Sequence, residues 1–181
     1  MILQSAKKRS IEIPAAVKSF ATRGLLLLFA WIIFYHLLLK PHRIPDRWLS
    51  NTTAAGTAKL LSTWYAPAYN LDKDGFACVF IGQRPVIRIG DPCNALDLMA
   101  LYIAFIICIP STKKRMLAFS AAGIVVIFLL NILRCNALTW ISLQKHEWLD
   151  FAHKYLFTAI VYAFIFWGWI LYTAKASLKK A

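Results

Sequence analysis

Four nearly unbroken apolar stretches limit what this chain can fold into more than any other feature. They cover residues 24–39, 95–109, 116–133 and 155–174. A helix rising 1.5 Å per residue needs about 20 apolar residues to cross a ~30 Å hydrocarbon layer. The third and fourth stretches meet that length. The first and second are short, a mismatch that local thinning or snorkelling flanks can absorb. Of the 181 residues, 60% are hydrophobic and only 16% charged, against about 25% charged in a soluble domain. This balance excludes a disordered chain, a coiled coil and a nucleic-acid-binding domain held together by surface charge. The fold expected is an all-α polytopic membrane protein, one integral domain with about four transmembrane helices. The first stretch has a long basic lead, no small-residue cleavage site follows it, and it therefore reads as a retained anchor.

The net charge of +13 then reports orientation, because cytoplasmic flanks collect Lys and Arg. Four spans put both ends on one side. Residues 1–23, the loop at 110–116 and the tail at 175–181 hold eleven basic residues against the single acid Glu12. The other side holds ten basic residues and seven acids over about twice the length. Both termini are thus expected in the cytoplasm, with 40–94 and 134–154 facing outward. Within the long outer segment, Ala54, Ala58, Leu61 and Tyr65 line one face of a loosely amphipathic helix over 48–69, expected to lie at the membrane interface. A turn cluster follows at 70–75. β-branched and aromatic runs at 76–81 and 86–89 flank a short polar loop and predict a small β-hairpin, ending at Gly90-Asp91-Pro92.

Three polar residues stand at unusual places. Cys93 lies where the hairpin meets the second span, Arg134 at the outer end of the third, His153 at the outer start of the fourth. All three fall at one depth on one side, and ionisable groups at such positions are costly and often functional. A thiol is a weak nucleophile until it becomes a thiolate, which a neighbouring cation favours. An imidazole can protonate a leaving amine and then deprotonate an incoming nucleophile. A guanidinium can stabilise an oxyanion. Three further residues can support the set. Asp150 precedes His153 by three positions and can orient its ring. Asn131 lies one helical turn from Arg134 and can hold it. Asp97, four residues after Cys93, would share the thiol's face, where its like charge opposes the thiolate unless it is paired with Arg134. The bland alternatives are a snorkelling arginine, an interfacial histidine, an inert packed cysteine and helix N-terminal capping by Asp97 and Asp150. Cys108 and Cys135 read as packing, and Cys78 as a packed residue with a lesser possibility of a disulfide to Cys93. No ligand spacing points to a metal, and no cofactor is implied.

Taken in order, Cys93-Asn94-Ala95-Leu96 opening a span, Asn131-Ile132-Leu133-Arg134 closing the next and His153 starting the last resemble the exosortase/archaeosortase family over roughly residues 75–174. The resemblance implies a polytopic membrane cysteine protease/transpeptidase of the bacterial or archaeal cytoplasmic membrane. Its substrates would be membrane-anchored exported proteins with a C-terminal sorting signal: a short motif, one transmembrane helix and a basic tail. Carried over by position, Cys93 is the nucleophile, Arg134 the substrate and oxyanion partner, and His153 the acid/base. Two departures stand out. Family members often have Gly where Ala95 stands, and many have about eight spans, so this chain would be a compact variant or would work with an accessory membrane protein. Two other readings compete: a four-helix thiol oxidoreductase serving a quinone, which lacks a Cys-x-x-Cys pair here, and a non-enzymatic assembly subunit.

Overall fold

The computed structural model describes residues 14–65, 67–90, 93–144 and 146–177. The basic tail residues Lys7, Lys8, Arg9, Lys179 and Lys180, with Glu12, lie outside the described residues, as do Asp91 and Pro92 of the expected hairpin end. Helix α1 (Ala15–Phe34) continues through a wider π turn, Tyr35–Leu39, and one further turn, Lys40–His42. Arg43, in the left-handed region at φ 49°, breaks it, and α2 (Ile44–Leu61) starts with Pro45 in its first turn. Three antiparallel strands follow in the order β1 (Ala68–Lys73), β2 (Phe76–Ile81), β3 (Arg84–Ile89). Helix α3 (Leu96–Cys108), the long α4 (Lys113–Gln144) and α5 (Phe157–Ser177) complete the chain. Two short turns, Leu149–Phe151 and the π turn Ala152–Leu156, lead into α5.

Among the described residues, three helical stretches are long and apolar enough to cross a membrane: Val17–His42, Lys113–Gln144 and Leu149–Ala174. The second expected span, over 95–109, falls short. Helix α3 has 13 residues, a rise of about 20 Å, because the chain turns sharply at Asn94 and Ala95 and stops at Pro110. Its position compensates for its length. Met99, Tyr102 and Ile106 of α3 are buried with Ile127 of α4 and Val161, Ile165 and Tyr172 of α5 in one apolar core. The Tyr172 hydroxyl donates to the Ile109 carbonyl at 2.8 Å, closing the end of α3. Arg115 donates to the Tyr172 carbonyl and ties the start of α4 to α5.

Tyr102 sits between two glycines. A Cβ on Gly123 would land on its ring, and one on Gly168 would come within 3.2 Å of it. Tyr102 is 4% exposed and has no room to retreat. Gly123→Ala is therefore expected to cost about 2–3 kcal/mol by overpacking, read as a lower thermal unfolding midpoint in detergent.

A second core joins α2 to the sheet. Ala54, Ala58 and Leu61 pack against Ala77, Val79, Ile89 and Cys135. The expected amphipathic helix thus begins and ends earlier than predicted, Tyr65 lies beyond it, and its apolar face meets protein rather than an interface. The predicted hairpin is present as β2 and β3 but is widened to a three-stranded sheet. β1 escaped the sequence reading because nearly all of it is exposed, so no alternation of apolar residues marks it. The turn joining it to β2 is Asp74-Gly75, both at positive φ (55° and 76°), the backbone that tight two-residue hairpins need.

Candidate active site

Cys93 sits where the two cores meet, half-buried and packed against the second. Its backbone is held from several directions. Its N–H donates to the Gly90 carbonyl at 2.8 Å. The Asn131 side-chain amide, from α4, donates to its carbonyl at 2.8 Å. Asn94, 1% exposed, donates through Nδ2 to Asp46 Oδ1 at 2.7 Å, and its Oδ1 accepts from the Leu96 N–H at 2.9 Å. That last bond satisfies one of the amides orphaned at the start of α3. The nucleophile candidate therefore rides on a turn clamped to α2 by Asp46 and to α4 by Asn131.

The turn closes through Ala95, at φ 65° and ψ 15°. This left-handed region costs an L-residue about 1–2 kcal/mol and costs glycine almost nothing. Ala95→Gly is accordingly expected to raise stability by about 1 kcal/mol, measured by thermal denaturation, with no loss of Cys93 reactivity.

His153 comes from the π turn ahead of α5. Its Nε2 lies 3.7 Å from Cys93 Sγ, a contact of sulfur hydrogen-bond length. Single π turns inside helices often mark functional positions. Arg134 lines the same cavity of about 250 Å³, together with Cys93, His153, Asp150, Cys135 and residues 86–89 of β3. Among the described residues its Nε is buried with no hydrogen-bond partner, and no salt bridge engages its guanidinium. A permanent cation, a thiol and an imidazole thus share one small cavity.

The remaining expectations fare differently. Arg134 does not close a helix: α4 continues ten residues further, to Gln144. Asn131 holds the Cys93 carbonyl rather than Arg134. Asp150 lines the cavity, but its partner is Lys154, at 3.8 Å, and among the described residues it makes no hydrogen bond to His153. Asp97 is not in this cavity. It accepts from Trp31 Nε1 at 3.1 Å and lines a separate apolar cavity of about 530 Å³ between α1, α3 and α5. The spacing of four misled because α3 begins at Leu96, so Cys93 is not on the helix and the one-turn rule does not apply. All four cysteines are free, with Cys78, Cys108 and Cys135 buried. Cys135 packs as expected yet also lines the Cys93 cavity. Asp46 was missed. An acid just after a proline reads as an ordinary helix start, and nothing local announces that it is 1% exposed.

Comparison of the chain with protein-family models, curated proteins and solved structures finds no match.

Proposed function

We propose that this chain is an exosortase-like membrane cysteine protease/transpeptidase. It would cleave a C-terminal sorting signal from membrane-anchored exported proteins through an acyl-enzyme on Cys93. The observation that carries the proposal is the 3.7 Å approach of Cys93 Sγ to His153 Nε2 in a cavity that Arg134 also lines. These residues are 41 and 60 positions from Cys93 in the chain, and the resemblance had named all three. In this reading the Cys93 thiolate attacks the scissile carbonyl. The Arg134 guanidinium stabilises the oxyanion, and His153 protonates the leaving amine and later deprotonates the amine or water that releases the acyl group. Thiol oxidoreductase chemistry is less well supported, because the four cysteines are all unpaired and three are buried.

The proposed orientation follows the basic residues: both termini and the loop at 110–116 in the cytoplasm, the site on the outer face of a bacterial or archaeal cytoplasmic membrane. Helix α3 would serve as a fourth, shortened crossing, shielded by α1, α4 and α5. A substrate held by its own membrane helix is confined to the plane of the bilayer, which raises its effective concentration at Cys93.

The test compares the C-termini of exported membrane-anchored proteins, by mass, in cells carrying the unaltered chain or Cys93→Ala. Proteins that retain their C-terminal tails are expected to accumulate with the variant. Unchanged C-termini would overturn the proposal.

A further inference from the structure

One wall of the Cys93 cavity is not accounted for by the three reactive side chains. Val86, Ile87, Arg88 and Ile89 all line it. Successive residues of a strand point to opposite faces of the sheet. A cavity lying over one face would meet every second residue, so one that meets four in succession runs along the strand's edge. β3 is the terminal strand of the sheet and pairs with β2 alone, in a register from Ala77 opposite Ile89 to Ile81 opposite Arg84. Among the described residues, no backbone group outside that ladder hydrogen-bonds to β3. Pro85, unable to donate to a ladder, is at home on such an edge. Natural sheets usually cover or blunt a free edge; this one opens on a thiol, an imidazole and a guanidinium that makes no ion pair among the described residues.

We propose that β3 is the substrate-binding strand: an extended polypeptide adds to its free edge through main-chain hydrogen bonds, and this brings the scissile carbonyl to Cys93. The inference rests on the peptidase reading above and supplies the conformation in which the substrate binds. Residues 86–89 cover about 10 Å of strand, room for about three peptide units alongside. Past Ile89 the chain reaches Cys93 within four residues, so a peptide following the edge is led to the sulfur. Main-chain pairing supplies binding that tolerates varied sequence, and side chains that alternate along the added strand supply selection.

The test uses the full chain in detergent or nanodiscs, alkylated in parallel with iodoacetamide or with tetra-alanyl chloromethyl ketone, the adduct on Cys93 located by mass. Each reagent loses its halide and leaves a thioether on the sulfur, but only the second carries a peptide backbone. Amide hydrogen exchange is then read residue by residue. With the peptidyl adduct, exchange at every second amide of 86–89 is expected to slow by about tenfold or more relative to the iodoacetamide adduct. Equal exchange along β3 in the two adducts would overturn strand addition and leave the peptidase reading standing. If iodoacetamide labels Cys93 and the peptidyl reagent does not, the peptidase reading fails, and strand addition with it.

Discussion

On the proposed peptidase reading, His153→Ala is expected to slow processing of a substrate's C-terminal tail by about 10³-fold, within the 10²–10⁴ range of a lost general acid/base. Cys93→Ala should cost at least as much, because no other thiol is placed to replace it: Cys135, which shares the cavity, is 3% exposed. The informative result is the double variant. A thiol and an imidazole at 3.7 Å that act as one unit lose their joint effect when either is removed, so the double variant should be no slower than the worse single one. The readout is the ratio of tailed to processed protein over time. Multiplied losses would mean that the two groups act in separate steps. A His153→Ala chain processing at the normal rate would remove the acid/base role.

Asp46→Leu is expected to cost about 2–3 kcal/mol of stability, the penalty for leaving a buried hydrogen-bonding group without its partner. Asp46 is 1% exposed, and its carboxylate accepts the Asn94 amide at 2.7 Å. Leucine fills a similar volume but leaves that buried amide only a long 3.5 Å contact to the carbonyl of residue 46. Asp46→Asn keeps an acceptor at the same place and should recover most of the loss. Thermal denaturation of the two variants and of Asn94→Ala reads this directly. The losses from Asp46→Leu and Asn94→Ala should overlap rather than add, since both break one bond. Full additivity would show that Asp46 and Asn94 act separately. The consequence for chemistry is local, because Asn94 also accepts the first amide of α3 next to the strained Ala95 turn that carries Cys93.

The legible part of the candidate site was the trio that lines its cavity. Cys93, Arg134 and His153 stand out in the sequence because a cysteine at a segment boundary and charged or ionisable groups near apolar spans are expensive to place. Their supporting shell was not legible in the same way. Asn131 was singled out for its helical spacing from Arg134, yet it reaches across to the Cys93 carbonyl, a contact that needs α3 and α4 side by side. Asp97 was drawn in by a spacing of four that has meaning only on a continuous helix. Asp46 had no local mark at all. Of the sheet, β2 and β3 were visible through their β-branched and aromatic residues, while β1 is exposed along nearly its whole length and carries no apolar period to read.

Apolar run length and the placement of Lys and Arg are local quantities, and they suffice to determine a membrane protein with long apolar helices and a short strand-forming segment among them. The membrane solvent imposes that much on any chain of this composition, since each backbone group in hydrocarbon must find its partner within the helix. Tertiary structure decided the rest: that α3 is 13 residues long and sheltered by its neighbours, that α2 covers the sheet, and that a thiol, an imidazole and a guanidinium line one cavity at the free edge of β3. Those facts depend on which faces meet, and the energy of burying one side chain against another is set by both partners at once, so no single stretch of sequence contains it.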